Sequence, residues 1–167
     1  PGVREWPRQD GPRELAGAEL TLAVSEDGWG EGALDVAVEA PRAWSPVTPW
    51  LHRVRLFVDG VETASRTFGF RDVRLDAEGL HLDGERVVLK GVLYQPHYPA
   101  RGGMTPPDDD LAAEVEAILA TGFNLVRAHV RPAAPAFLEA CDRLGLLVLQ
   151  EPAIGWVEDH EGLADRL

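Results

Sequence analysis

The residues best placed to do chemistry gather in the last half of the sequence. Arg127 closes the short apolar run Phe123-Asn124-Leu125-Val126, and His129 follows two positions later. Glu151 stands just after a second such run, Leu146-Leu147-Val148-Leu149. Tyr94, His97 and Tyr98 crowd one loop, and Trp156 lies in another. Metal chemistry is not expected: the five histidines are scattered and no ligand-spacing motif joins them. No cofactor is implied either. Cys141 is the only cysteine, so no internal disulfide can form. It falls on the inward side of an amphipathic pattern with no basic neighbour to make it a thiolate, so it is not read as a nucleophile.

Those residues need elements to hold them, and the pattern changes near Gly91. Before it the chain reads as strands. Glu19 to Val24 and Ala33 to Ala40 alternate polar and apolar, with Asp27-Gly28-Trp29-Gly30 as a turn. Pro41, Pro46 and Pro49 break the ladder. Leu51 to Val58 and the region Val61 to Leu75 are joined by Asp59-Gly60, a hairpin signal because both turn positions want positive φ. Leu80-His81-Leu82, Asp83-Gly84 and Arg86 to Leu89 give another hairpin. The run Val87 to Val92 reads as a strand buried on both faces. Short antiparallel strands in this number suggest a sandwich.

After Gly91 strands alternate with helices. Asp108 is a candidate cap, with further acids in the first turn of a helix that buries Leu111, Val115, Ile118 and Leu119 and stops at Gly122. Ala134 to Leu144 is a second helix, with Phe137, Leu138, Cys141 and Leu144 inward and Gly145 as its stop. Strand, helix, strand, helix, strand with short connections implies parallel pairing and right-handed crossovers.

The formal charge of −12 argues against a nucleic-acid partner, which needs a basic face. The acids are scattered apart from Asp108-Asp109-Asp110 and the tail from Glu158, and are read as solubility. No apolar run reaches membrane-span length, so no membrane partner is expected. The chain opens on Pro1, so its natural start is expected to lie upstream, and its location is left open.

Two stretches resemble the glycoside hydrolase family 2 of β-galactosidases, β-glucuronidases and β-mannosidases. The first is Ala43-Trp44-Ser45-Pro46, Pro49-Trp50-Leu51 and Phe68-Gly69-Phe70-Arg71, similar to the passage that closes that family's immunoglobulin-like domain. The second runs from Leu80 to Pro152. It holds Leu82-Asp83-Gly84, Leu89-Lys90-Gly91-Val92, Thr121 to Arg127, Cys141 to Val148 and Glu151, similar to the family's entry into its barrel. Their order and spacing make the match specific. The string Arg127-Ala128-His129-Val130-Arg131-Pro132 departs from it, because the family's usual histidine is not in its common place. The loop Val92 to Pro99 matches only loosely.

The resemblance implies a multi-domain β plus α/β architecture: a partial immunoglobulin-like β-sandwich over residues 1–75, then the first βα units, strands one to three, of a (β/α)8 TIM barrel over 76–167. It implies a retaining glycosidase that hydrolyses O-glycosidic bonds using two glutamates at the ends of barrel strands four and seven. Neither would be present here, so the chain is expected to be inactive alone and to need the rest of its parent chain. Three parallel strands cannot close a barrel, so the isolated chain is expected to be marginal or to self-associate. Arg127, at the end of strand two, would hydrogen-bond the nucleophile and keep it ionised; a structural ion pair is the alternative. Glu151 would line the site rather than react. His97 and His129 would reach sugar hydroxyls, and Tyr94, Tyr98 and Trp156 would stack on sugar rings. Trp44 and Trp50 read as sandwich core or domain interface, and Arg71 as the partner of an acid at the junction. A non-catalytic carbohydrate-binding or interaction module built on the sandwich remains the alternative function, and an α/β chain without ligand a third.

Overall fold

The structure, a computed structural model, describes residues 16–152. They fall into two compact units that divide between Pro41 and Arg42.

In the first unit the chain reverses where the sequence places a turn. The Ser25 amide donates to the Trp29 carbonyl at 2.7 Å, and Gly28 takes a φ of +84°. The flanking runs do not become the two strands expected from their alternation; residues 16–41 contain no strand. The physical reason lies in what they bury. Leu20, Leu22, Val24, Leu34 and Val36 all remain exposed, and a two-stranded ribbon without a covered apolar face is marginal in water.

The second unit begins with antiparallel pairs. Strands β1 (His52–Val58) and β2 (Val61–Phe68) form a hairpin whose turn residues Asp59 and Gly60 have φ of +49° and +78°. Strands β3 (Val73–Asp76), β4 (Gly79–Leu82) and β5 (Glu85–Arg86) form a second sheet, with Asp83 and Gly84 again at positive φ. Both Asp-Gly pairs thus serve as sequence reasoning expects. The single strand region expected over Val61 to Leu75 is instead broken between Phe68 and Val73. Gly69 is taken up by Trp44, whose Cβ lies 2.6 Å from where a Gly69 side chain would begin, and the Trp44 amide donates to the Phe70 carbonyl. Among the described residues these five strands make two separate sheets.

Beyond β5 the expected strand to Leu89 is also cut short, because residues 88–90 are claimed by Asn124. Its Oδ1 accepts from the Lys90 amide at 2.7 Å and its Nδ2 donates to the Val88 carbonyl at 2.9 Å. The strand buried on both faces is therefore not Val87 to Val92: Val88 and Leu89 are exposed, and pairing starts at Gly91.

The remainder is βαβαβ. Strands β6 (Gly91–Tyr94), β7 (Leu125–Ala128) and β8 (Leu147–Gln150) pair in parallel in that order, with α1 (Asp108–Ala120) and α2 (Pro135–Leu144) as the crossovers. Asp108 is not the cap of α1. It is already helical, Pro107 occupies the cap position without a side-chain bond, and the three acids act only through their charge near the helix dipole. Both helices stop at left-handed glycines, Gly122 and Gly145. Leu111 and Val115 of α1 and Phe137, Ala140, Cys141 and Leu144 of α2 pack on Val126 and Ala128, forming the core on one side of the sheet. Burial pushes the Cys141 thiol up to about 12, in keeping with a packing role. No helix among the described residues is long and apolar enough to cross a membrane.

Candidate functional site

Register decides which side chains meet. Leu93, Arg127 and Leu149 are partners across the parallel sheet, as are Tyr94, Ala128 and Gln150. Alternation sends the two rows to opposite faces. Val92, Tyr94, Val126 and Val148 pack with the helices, whereas Leu93 and Leu149 stay more than half exposed. Arg127 therefore stands on the face that no helix among the described residues covers, at the carboxyl end of β7. Glu151, two residues beyond Leu149, meets it there.

The Arg127 Nε donates to Glu151 Oε1 at 2.6 Å, and Nη2 reaches the same oxygen. The other carboxylate oxygen, Oε2, accepts from the Val130 amide at 2.8 Å, while the Glu151 amide donates back to the Ala128 carbonyl. Val130 is held at φ +63°. A β-branched residue in the left-handed region is strained, at a cost of about 1–3 kcal/mol, and persists only where its surroundings enforce it. The Val130 amide beside it, followed by the Arg127 hydrogen bond, holds the Glu151 carboxyl below the usual range. A general acid needs the opposite shift, and none of the groups acting on Glu151 is a carboxylate. Among the described residues the Glu151 carboxylate is thus held between the Arg127 side chain and the Val130 amide.

His129 joins this cluster. Its amide donates to the Tyr94 carbonyl at 3.0 Å, and its Nδ1 lies 2.6 Å from Gln95 Nε2. The loops after β6 and β7 are tied again where Arg131 Nη1 donates to the Pro96 carbonyl. His97 is not drawn in: it is exposed, and its ring has no partner among the described residues. Tyr94 departs from its expected place. Its ring stacks on Phe137 at 4.2 Å, and its hydroxyl meets Tyr98 at 2.8 Å and Glu114 Oε2 at 2.8 Å. The alternation of β6 turns it toward the helices, so a face expected to meet a sugar is covered by the core. Burial, followed by the bonds to Tyr98 and Glu114, raises the Tyr94 hydroxyl well above its ordinary value and keeps it protonated. Trp156 lies outside the described residues.

The junction residues also find partners. Trp44 is buried, and its indole donates to the Asp142 carbonyl of α2 at 2.7 Å. The Arg71 guanidinium lies 4.9 Å over that ring, and its charge acts on the Asp142 carboxyl. Trp50 carries the Arg42 guanidinium on its face.

Residues 73–161, more than half of the chain, match the family described as glycosyl hydrolases family 2, TIM barrel domain. The chain belongs to glycoside hydrolase family 2. Among curated relatives, a putative beta-glucuronidase of Formosa agariphila is 34% identical over 74% of the chain. A beta-galactosidase of Psychromonas ingrahamii is 33% identical over 70%. The chain spans 12% of the length of each. Among solved structures, a family 2 member from Bacteroides cellulosilyticus superposes with a TM-score of 0.63 at 34% identity, covering 70% of this chain and 16% of that one. These likenesses make β6, β7 and β8 part of a family 2 TIM barrel, and in such barrels sites form at the carboxyl ends of the strands. That is the edge where Arg127, His129 and Glu151 converge.

Gln95, Glu114 and Val130 were not singled out from the family 2 sequence pattern. Gln95 lies in the loop flagged for its aromatics, so its position was visible but its partner was not. Glu114 sits at helical spacing from Leu111 and Ile118, half-buried, and only the fold brings it to the two tyrosines. Nothing in the residue type of Val130 announces a left-handed backbone.

Proposed function

We propose that this chain carries the closing strands of an immunoglobulin-like sandwich within residues 1–75. On this reading residues 76–167 open the TIM barrel of a retaining glycosidase that cleaves O-glycosidic bonds of a carbohydrate substrate. β6, β7 and β8 are its first three barrel strands. The two catalytic glutamates belong to strands four and seven, so the chain alone is inactive and works with the rest of its parent polypeptide. Arg127, His129 and Glu151 line the site, with His97 on a neighbouring loop.

The observation that carries this reading is the Arg127–Glu151 pair on the uncovered face at the carboxyl edge of three parallel strands. An arginine there is placed to hold a neighbouring carboxylate ionised, which a nucleophile requires. The apolar Leu93 and Leu149 beneath it fit the filled interior of a barrel better than a solvated sheet.

Hydrolysis of chromogenic β-galactosides and β-glucuronides tests it. The expected outcome is no turnover by the 167-residue chain and clear turnover by a longer polypeptide carrying the same residues. In the longer protein Arg127→Ala is expected to lower kcat by roughly 10²-fold or more, the scale for losing one preorganised charge in a site. Robust turnover by the 167-residue chain would overturn the assignment of the glutamates to other strands.

A further inference from the structure

We propose that Glu151 is the positioning residue of this site: its two carboxylate oxygens hold Arg127 and the Val130 turn together, and thereby fix His129 as an Nε2–H donor to a sugar hydroxyl. The role deepens the glycosidase reading and rests on it.

The geometry is that of a clamp. Each Glu151 oxygen already has a donor, Arg127 on Oε1 and the Val130 amide on Oε2. The Glu151 amide completes the grip by donating to the Ala128 carbonyl at 3.1 Å. Backbone and side chain of one residue thus seize the end of β7 on both sides of His129. Val130 would relax from φ +63° to an ordinary extended or helical conformation if released, and the chain direction after Ala128 would change with it. The bond that opposes this relaxation is charge-assisted, the stronger kind.

His129 sits between the two clamped residues. Its amide is bonded to Tyr94 and its Nδ1 to Gln95, so both backbone and ring are oriented. The Gln95 amide nitrogen has only protons to offer, so Nδ1 accepts and the ring proton resides on Nε2. Nε2 has no partner among the described residues. A ring held through Nδ1, with its Nε2–H free at a barrel mouth, is suited to an oxygen acceptor such as a sugar hydroxyl. Glu151 acts through this arrangement and contributes no proton of its own.

The test compares Glu151→Gln with Glu151→Gln/Val130→Gly in the full polypeptide that carries this chain. Glutamine keeps the size of the side chain but cannot accept on both atoms. Misplacement of the turn is expected to lower kcat/KM by roughly 10²-fold. Glycine adopts the left-handed conformation without strain, so the second substitution is expected to restore about tenfold of the loss. Absence of rescue would show that Glu151 acts directly on the ligand and would overturn the proposal. Two readouts stand apart from activity and from the stability of the variants. In the unsubstituted protein, imidazole nitrogen shifts are expected to report the Nε2–H tautomer of His129, and the Val130 amide is expected to be protected from exchange. An Nδ1–H ring or an unprotected Val130 amide would overturn the clamp. If the unsubstituted polypeptide hydrolyses no glycoside, the enzyme reading fails, and these two measurements still decide the clamp by themselves.

Discussion

Replacing Trp44 tests how the Trp-Ser-Pro segment is bound to the barrel entry. The indole is buried to 1% exposure and its N–H meets a carbonyl in the last turn of α2, where the helix itself offers no donor. Trp44→Phe removes that donor and leaves the Asp142 carbonyl bare, at a cost of about 1–3 kcal/mol. The smaller ring adds a void beside Gly69. The combined loss is about 2 kcal/mol, which corresponds to roughly 30-fold in the equilibrium for local opening. Trp44→Ala empties the site, at about 3–5 kcal/mol, or roughly 10²–10⁴-fold. Hydrogen exchange read on peptides covering 42–50 and 141–146 is the direct assay, because the Trp44 amide donates to the Phe70 carbonyl and the Ser45 and Trp50 amides donate to the Thr48 carbonyl. Gly69→Ala provides an independent approach, since its new Cβ would fall 2.6 Å from the Trp44 Cβ. Unchanged exchange in both peptides for Trp44→Phe would refute the idea that the indole bond fastens the segment to α2.

The other predictions concern the edges of the parallel sheet. Asn124→Ala removes the bonds to the Lys90 amide and the Val88 carbonyl, worth about 1 kcal/mol each, and is expected to speed exchange of the Lys90 amide by roughly tenfold or more. The Glu151 clamp has a defined acid limit. The folded carboxyl is depressed, so its contribution is complete above the unfolded value of about 4.3 and is lost only as pH falls through the lower folded value. Carboxyl NMR is expected to find it still ionised where exposed glutamates have protonated, and an ordinary titration would contradict the clamp geometry. Leu93 and Leu149, 53% and 55% exposed on a sheet whose two edges have no partner strand among the described residues, are expected to drive self-association of the isolated chain. Sedimentation should show Leu93→Glu/Leu149→Lys shifted toward monomer; no shift would place the sticky surface elsewhere.

The helical half of this chain was legible because its signals are local and agree. Leu111, Val115, Phe137, Cys141 and Leu144 lie at helical spacing and are buried, and Gly122 and Gly145 end the helices at positive φ. The two Asp-Gly turns were legible for the same reason. The strands were less so. Residues 19–24 alternate as a strand should, yet alternation states only which side chains share a face, not whether anything covers it. Residues 87–90 were overread because the side chain that claims their backbone, Asn124, lies far along the sequence. In the site, Arg127 and Glu151 were found because they end apolar runs. Tyr94 was misplaced because period two leaves open which row faces the helices.

Asn124 and Glu151 show why the two edges of one sheet do different work. Both bridge neighbouring strands by bonding backbone as well as side chain. At the amino edge, Asn124 satisfies one donor and one acceptor with an uncharged amide, and the local hydrogen-bonding needs are met. At the carboxyl edge, Glu151 brings a charge, fixes a cation beside it and restrains a turn that would otherwise relax. The first arrangement closes on itself, as a structural staple should. The second leaves an oriented histidine nitrogen without a partner among the described residues, above a face lined by Leu93 and Leu149. Residual bonding capacity joined to enforced strain is what sets the proposed site apart from the staple at the other edge, and it appears at the carboxyl ends of the parallel strands, the edge where TIM barrels form their sites.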